Sequence, residues 1–129
     1  PYEIIEQDEV LARACAQWQS AERKSLETAE QGKYAAIFAL DSLEHNEDIP
    51  SLVARLAPLL RRDGMFILSG PTESAFYRLG RKLAGFSGHY HHSTIYDIEA
   101  IFARHMRLVD ARRVPFFPTL FRVTAWRLS

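Results

Sequence analysis

The sequence predicts an α/β fold: an open sheet with helices on both faces and an antiparallel hairpin at the C-terminal end. Three observations lead there. The runs at residues 34–40 (YAAIFAL) and 65–69 (MFILS) are uncharged and apolar, which suits strands buried on both faces, as in parallel sheets. Helical periodicity separates such runs, and strand alternating with helix implies an open sheet. Residues 120–128 (LFRVTAWRL) alternate instead, as a strand of an antiparallel hairpin does.

Taken in order, residues 2–6 (YEIIE) form a short β-branched run and read as the first strand. Glu9 to about Lys24 reads as a helix, because Val10, Leu11, Ala14, Trp18 and Ala21 fall at helical spacing and Asp8 stands where an N-cap would. Residues 25–33 are polar, with room for one very short strand. After the apolar run ending at Asp41, Asp48-Ile49-Pro50 starts a second helix, with Asp48 as cap and Pro50 in the first turn. Its buried stripe is Leu52, Val53, Leu56, Leu59 and Leu60, and Pro58 must kink or shorten it. Arg62-Asp63-Gly64 ends that element, and Gly70-Pro71 breaks the strand that follows. Residues 73–84 and 94–105 read as helices. Residues 106–114 and 120–128 read as strands joined through Pro115-Phe116-Phe117-Pro118. No repeat or linker interrupts the pattern, so residues 1–129 read as a single domain. Ligands of such sheets bind beyond the carboxyl ends of the strands.

Composition narrows the function. With 47% hydrophobic, 25% charged and 12% aromatic residues, the chain is globular and not a low-complexity tail. No apolar run approaches a membrane span. Sixteen basic and sixteen acidic residues argue against a general nucleic-acid binder. One cysteine, Cys15, fits a reducing compartment, and with no signal peptide visible a cytoplasmic location is expected. The chain opens with Pro1 and no methionine, as a processed chain or a piece of a longer one does. The neutral total hides an asymmetry: residues 1–60 carry five basic and eleven acidic side chains, and residues 61–129 the reverse. That is either self-complementary packing or a basic face that meets an anionic ligand or a membrane surface.

Several residues suit chemistry by type. Glu6 ends the first strand, where a carboxylate can accept two hydrogen bonds from a ribose diol or simply open a helix. Ala39, Leu40 and Asp41 end the apolar run at 34–40 and would permit close backbone approach of a ligand. His45 is a candidate general base or a loop-ordering residue. The cluster His89-Tyr90-His91-His92 puts four residues in a row that can titrate or hydrogen-bond, after a glycine-bearing loop, and suits metal ligation, helix capping or plain packing by type. No carboxylate or cysteine cluster accompanies it, so no metal is expected. Residues 75–86 (AFYRLGRKLAGF) read either as a core-facing amphipathic helix or as a lid touching a lipid surface.

The chain resembles the class I S-adenosylmethionine-dependent methyltransferases. Residues 34–45 (YAAIFALDSLEH) resemble the family's fourth strand and following loop. Residues 56–71 (LAPLLRRDGMFILSGP) resemble the helix, glycine turn and fifth strand, and residues 2–14 (YEIIEQDEVLARA) the second strand and its helix. The resemblance implies a Rossmann-like sheet and an enzyme that transfers a methyl group from S-adenosyl-L-methionine to a small-molecule or lipid-like acceptor. It implies Glu6 as the ribose ligand, Ala39, Leu40 and Asp41 lining the cofactor, His45 as catalytic residue, and His89, Tyr90, His91 and His92 facing the substrate. Two features depart from the family pattern. No G-x-G occurs anywhere, so the family's first strand and glycine loop are not represented, and Ala35 stands where an aspartate is usual. The alternative is therefore a catalytically inactive methyltransferase-like module or partner subunit, with self-association through exposed strand edges.

Overall fold

The computed structural model describes residues 2–72, 74, 77, 82, 83, 85 and 93–129. They fall into two compact units, Pro1–Gln31 and Gly32–Ser129.

In the smaller unit, β1 (Glu3–Ile4) leads into α1 (Glu9–Gln19) and then β2 (Glu22–Arg23), which pairs with β1 in parallel. β1 is shorter than the run at residues 2–6 suggested. α1 starts as expected: Asp8 Oδ1 accepts the backbone N–H groups of Val10 and Leu11, both at 2.9 Å. It ends five residues before Lys24, because Ser20 turns into the left-handed region at φ 51° and its N–H closes on the Ala16 carbonyl. The short strand thus lies at 22–23 and not within 25–33. Glu9 holds this unit together across its surface. Its carboxylate takes a bidentate pair from Arg23 at 2.9 and 2.7 Å and a third bond from Arg13 at 2.9 Å. Those guanidinium bonds, Arg23's first, lower the Glu9 pKa to about 2. The apolar spacing that announces α1 does not become its buried face. Val10, Leu11 and Trp18 are exposed, and Ala12 is the helix's buried residue.

The larger unit is a four-stranded sheet in the order β3-β4-β6-β5, where β3 is Tyr34–Leu40, β4 Leu60–Pro71, β5 Met106–Val114 and β6 Phe121–Leu128. β3 and β4 are parallel, and β6 is antiparallel to both β4 and β5. Between β3 and β4 runs α2 (Ile49–Leu56), capped by Asp48 Oδ1 on the Ser51 N–H at 3.1 Å, with Pro50 in its first turn. Pro58 ends it in the 3-10 turn Ala57–Leu59. Leu59 and Leu60 are buried as expected, but from that turn and from β4, not from the helix. Helix α3 (Ile95–Phe102) precedes β5. Thr94 and Asp97 form a reciprocal capping box at its start, and the Thr94 hydroxyl and N–H bonds hold the Asp97 pKa down. His105 sits in the turn after α3 and not within it.

β4 starts well before the expected 65–69. Arg62-Asp63-Gly64 has local turn chemistry, yet it lies inside the strand, where a register shift separates the Tyr34–Leu60 pair from the Ala36–Met65 pair. Gly64 is required there, since a Cβ would stand 2.9 Å from the carbonyl oxygens of Arg61 and Tyr34. The core lies on one face of the sheet. Val53, Phe66, Leu68, Ile95, Ile98 and Phe102 are wholly buried, and Phe102 meets the ring edge of Phe66 at 4.9 Å. Gly70 lets α3 approach, as a Cβ there would come within 3.0 Å of Ile95 Cδ1. The opposite face is more open: Phe38 is 55% and Leu40 56% exposed. Among the described residues β3 is therefore not buried on both faces: it lies at the edge of this sheet and its open-face side chains are half exposed. Among the described residues, no helix is long and apolar enough to cross a membrane.

Candidate functional site

The carboxyl ends of β3 and β4 lie side by side, with Leu40 opposite Ser69. Asp41 follows, at φ 48°. Aspartate tolerates this left-handed turn better than most residues but still incurs a cost. Two bonds to one neighbour hold it: the Asp41 N–H donates to the Ser69 carbonyl at 3.1 Å, and the Ser69 hydroxyl donates to Asp41 Oδ1 at 3.2 Å. Ser69 is buried, so the strand end is locked from beneath. Ser69 is the residue that sequence reasoning missed, because its role comes from a pairing across 28 positions.

Strand alternation divides the three residues of this strand end. Ala39 points into the core and is buried, so only its backbone is offered at the strand end, while Leu40 and Asp41 are exposed. The next turn, Leu43–His45, is a 3-10 helix fixed by the Asn46 amide, which donates to the Ser42 carbonyl at 3.0 Å. Within it Leu43 and Glu44 are buried and His45 is exposed. Glu44, 1% exposed, is the carboxylate this turn carries inward; the sequence motif drew attention to the histidine beside it.

Beyond β4, Thr72 and Ser74 tie to the strand entering β6. The hydroxyl groups of both donate to the Thr119 carbonyl at 3.0 Å. On the sheet's covered face Arg122 pairs with Glu99, both largely buried, and lies over the Tyr96 ring at 5.7 Å. Neither residue was singled out from sequence, since the pair joins α3 to β6.

In the smaller unit Glu6 lies two residues past β1 and is exposed. Its Oε1 accepts the Asp8 N–H at 3.0 Å, which orients the carboxylate at the strand's carboxyl end. His89, Tyr90, His91 and His92 lie outside the described residues, as does most of 75–86. Among the described residues, no group of three His, Cys, Asp or Glu could hold a metal ion.

A parallel strand pair continued by an antiparallel hairpin is a fold this chain shares with solved methyltransferases, among them S-adenosylhomocysteine complexes. No protein-family model and no curated protein matches the sequence. Solved structures match the fold. A protein of Pyrococcus horikoshii superposes with a TM-score of 0.76 at 11% identity, over 99% of this chain and 71% of that one. The Burkholderia thailandensis 1,6-didemethyltoxoflavin-N1-methyltransferase, solved with its substrate and S-adenosylhomocysteine, gives 0.66 at 18% identity, over 98% of this chain and 60% of that one. The N-methyltransferase NodS of Bradyrhizobium japonicum, also with S-adenosylhomocysteine, gives 0.70 at 12% identity, over 98% and 65%. The chain therefore spans between 60% and 71% of these neighbours' lengths.

Proposed function

We propose that this chain is the larger part of an S-adenosyl-L-methionine-dependent methyltransferase domain acting on a small-molecule or lipid-like acceptor. The observation that carries the reading is the end of β3: an exposed Leu40, then Asp41 held in a left-handed turn by two bonds from and to Ser69. A rigid, partly apolar strand end of this kind suits a flat adenosyl group beside a polar turn. Within the smaller unit, Glu6 suits a ribose diol, because an exposed carboxylate beyond a strand end accepts hydrogen bonds from hydroxyl groups.

When bound, the cofactor would supply an activated methyl group on a sulfonium. The chain's own work is alignment and exclusion of water. In the smaller unit Glu6 is the ribose-binding residue of this reading; in the larger unit the backbone at Ala39 and Leu40 admits close approach and Asp41 fixes the turn. His45, exposed on its 3-10 turn, takes a proton from an acceptor that must lose one. His89, Tyr90, His91 and His92 are the acceptor-facing residues of this reading.

Calorimetric titration with S-adenosylhomocysteine, of the chain and of Glu6→Ala, tests it. Saturable binding that the variant weakens by about tenfold, the loss expected for one or two hydrogen bonds to a charged group, is the expected result. A folded chain that takes up none of the compound overturns the reading for residues 1–129.

A second reading, a methyltransferase-like module that pairs with another strand, is favoured by one observation. The outer edge of β3 has no strand partner among the described residues, and its seven residues carry no charge. Concentration-dependent association in sedimentation, abolished by Phe38→Lys, is the result this reading requires.

A further inference from the structure

The turn between β5 and β6 presents two adjacent rings to solvent. Phe116 is 83% exposed and Phe117 77%, between Pro115 and Pro118. They stand on an anchored base. The Thr119 hydroxyl donates to the Phe116 carbonyl at 3.0 Å, and the Leu120 carbonyl accepts the Thr72 N–H at 2.9 Å and the Thr72 hydroxyl at 3.1 Å. A ring as exposed as Phe116 on such a base is an unfavourable exposure unless it enters another phase.

The charge around them selects the occupant. From Ala111 to Ser129 the chain carries Arg112, Arg113, Arg122 and Arg127 and no acidic residue. Arg112 pairs with Asp110 at 3.0 Å and Arg122 with Glu99. Arg113, exposed, has no carboxylate partner among the described residues. It stands three positions before Phe116. Aromatic rings at a tip with cations behind them are the pattern that enters a lipid interface, rings at the headgroup–acyl boundary and cations on anionic headgroups. The turn's position adds to this. Phe121 pairs with Pro71, so the turn lies at the sheet end where β3 and β4 finish, beside the candidate ligand crevice.

We propose that the β5–β6 turn is a docking element for an anionic lipid surface, with Phe116 and Phe117 inserting and Arg113 meeting the headgroups. Docking here sets the crevice against the membrane. The inference stands on the turn's own residues and does not need the cofactor reading.

Vesicle co-sedimentation of the full chain tests it. The chain should bind vesicles of phosphatidylcholine mixed with phosphatidylglycerol, bind pure phosphatidylcholine weakly, and release as salt is added. The double variant Phe116→Ala/Phe117→Ala should lose about tenfold or more of that binding while keeping the parent's thermal midpoint. Arg113→Gln should lose about fivefold. In a Phe116→Trp variant the added indole fluorescence should shift to the blue on mixed vesicles only. Failure of the parent to bind mixed vesicles overturns the proposal and leaves the rings to a protein partner. So does a folded double variant that binds as the parent does, or a Phe116→Trp emission that ignores the vesicles.

Discussion

Asp41 sits at φ 48°, so replacing it by alanine and by glycine should reverse the usual ranking of those two residues. Both variants lose the same hydrogen bond from the Ser69 hydroxyl, so that loss cancels in the comparison. An alanine Cβ in the left-handed region costs about 1–2 kcal/mol, a cost glycine escapes. Against this, glycine gives the unfolded chain extra freedom worth about 0.4–1 kcal/mol. The difference leaves Asp41→Gly more stable than Asp41→Ala by about 0.5–1 kcal/mol. With a urea dependence of about 2 kcal/mol per molar, the two midpoints should differ by roughly 0.3–0.5 M. Ala54→Gly, in the middle of α2, is the control and should lose about 1 kcal/mol. Equal midpoints, or an alanine variant more stable than the glycine one, would refute the claim that this turn stores backbone strain at the end of β3.

Other outcomes follow from the same structure. Phe102→Ala removes a wholly buried ring that meets Phe66 and Trp126, and should lower stability by about 3–5 kcal/mol, roughly 10–20 °C in a thermal melt. Thr94→Ala breaks the capping box and should cost about 1 kcal/mol by chemical denaturation. The Glu9 carboxyl is held at about 2, below its ordinary 4.5, so what it contributes is complete above pH 4.5 and fades as pH falls toward 2. Carbon-detected NMR titration of Glu9 should show this, and Arg23→Gln should move its midpoint back up.

Much of the fold was legible because the decisive signals are local. An uncharged run marks β3 with its true bounds, Asp48 and Pro50 mark the start of α2, and alternation marks the hairpin. What was not legible depends on distant partners. Ser20 ends α1 although helical spacing continues to Ala21, because Glu22 and Arg23 pair with β1. Arg62-Asp63-Gly64 has turn chemistry but joins β4, since the edge of β3 recruits it across a bulge. The candidate site was half legible. Asp41 is visible at the end of an apolar run, whereas Ser69 becomes its partner only when the strands align. In the turn after Asp41 the sequence favours the histidine, but helix geometry, which it does not display, buries Glu44 and turns His45 outward.

The two borders of the larger sheet have opposite character. β5 carries Arg107, Asp110, Arg112 and Arg113, and a bulge disturbs its register beside Asp110, so one border repels further strands. The other border among the described residues, β3, carries no charged residue. Among the described residues a further strand could therefore pair at β3 and is opposed at β5. Any strand added at β3 extends it in one direction, and two copies meeting there back to back would give eight strands, four from each, with charged borders at both ends. In such a pair each copy would close the other's sheet with its own charged border.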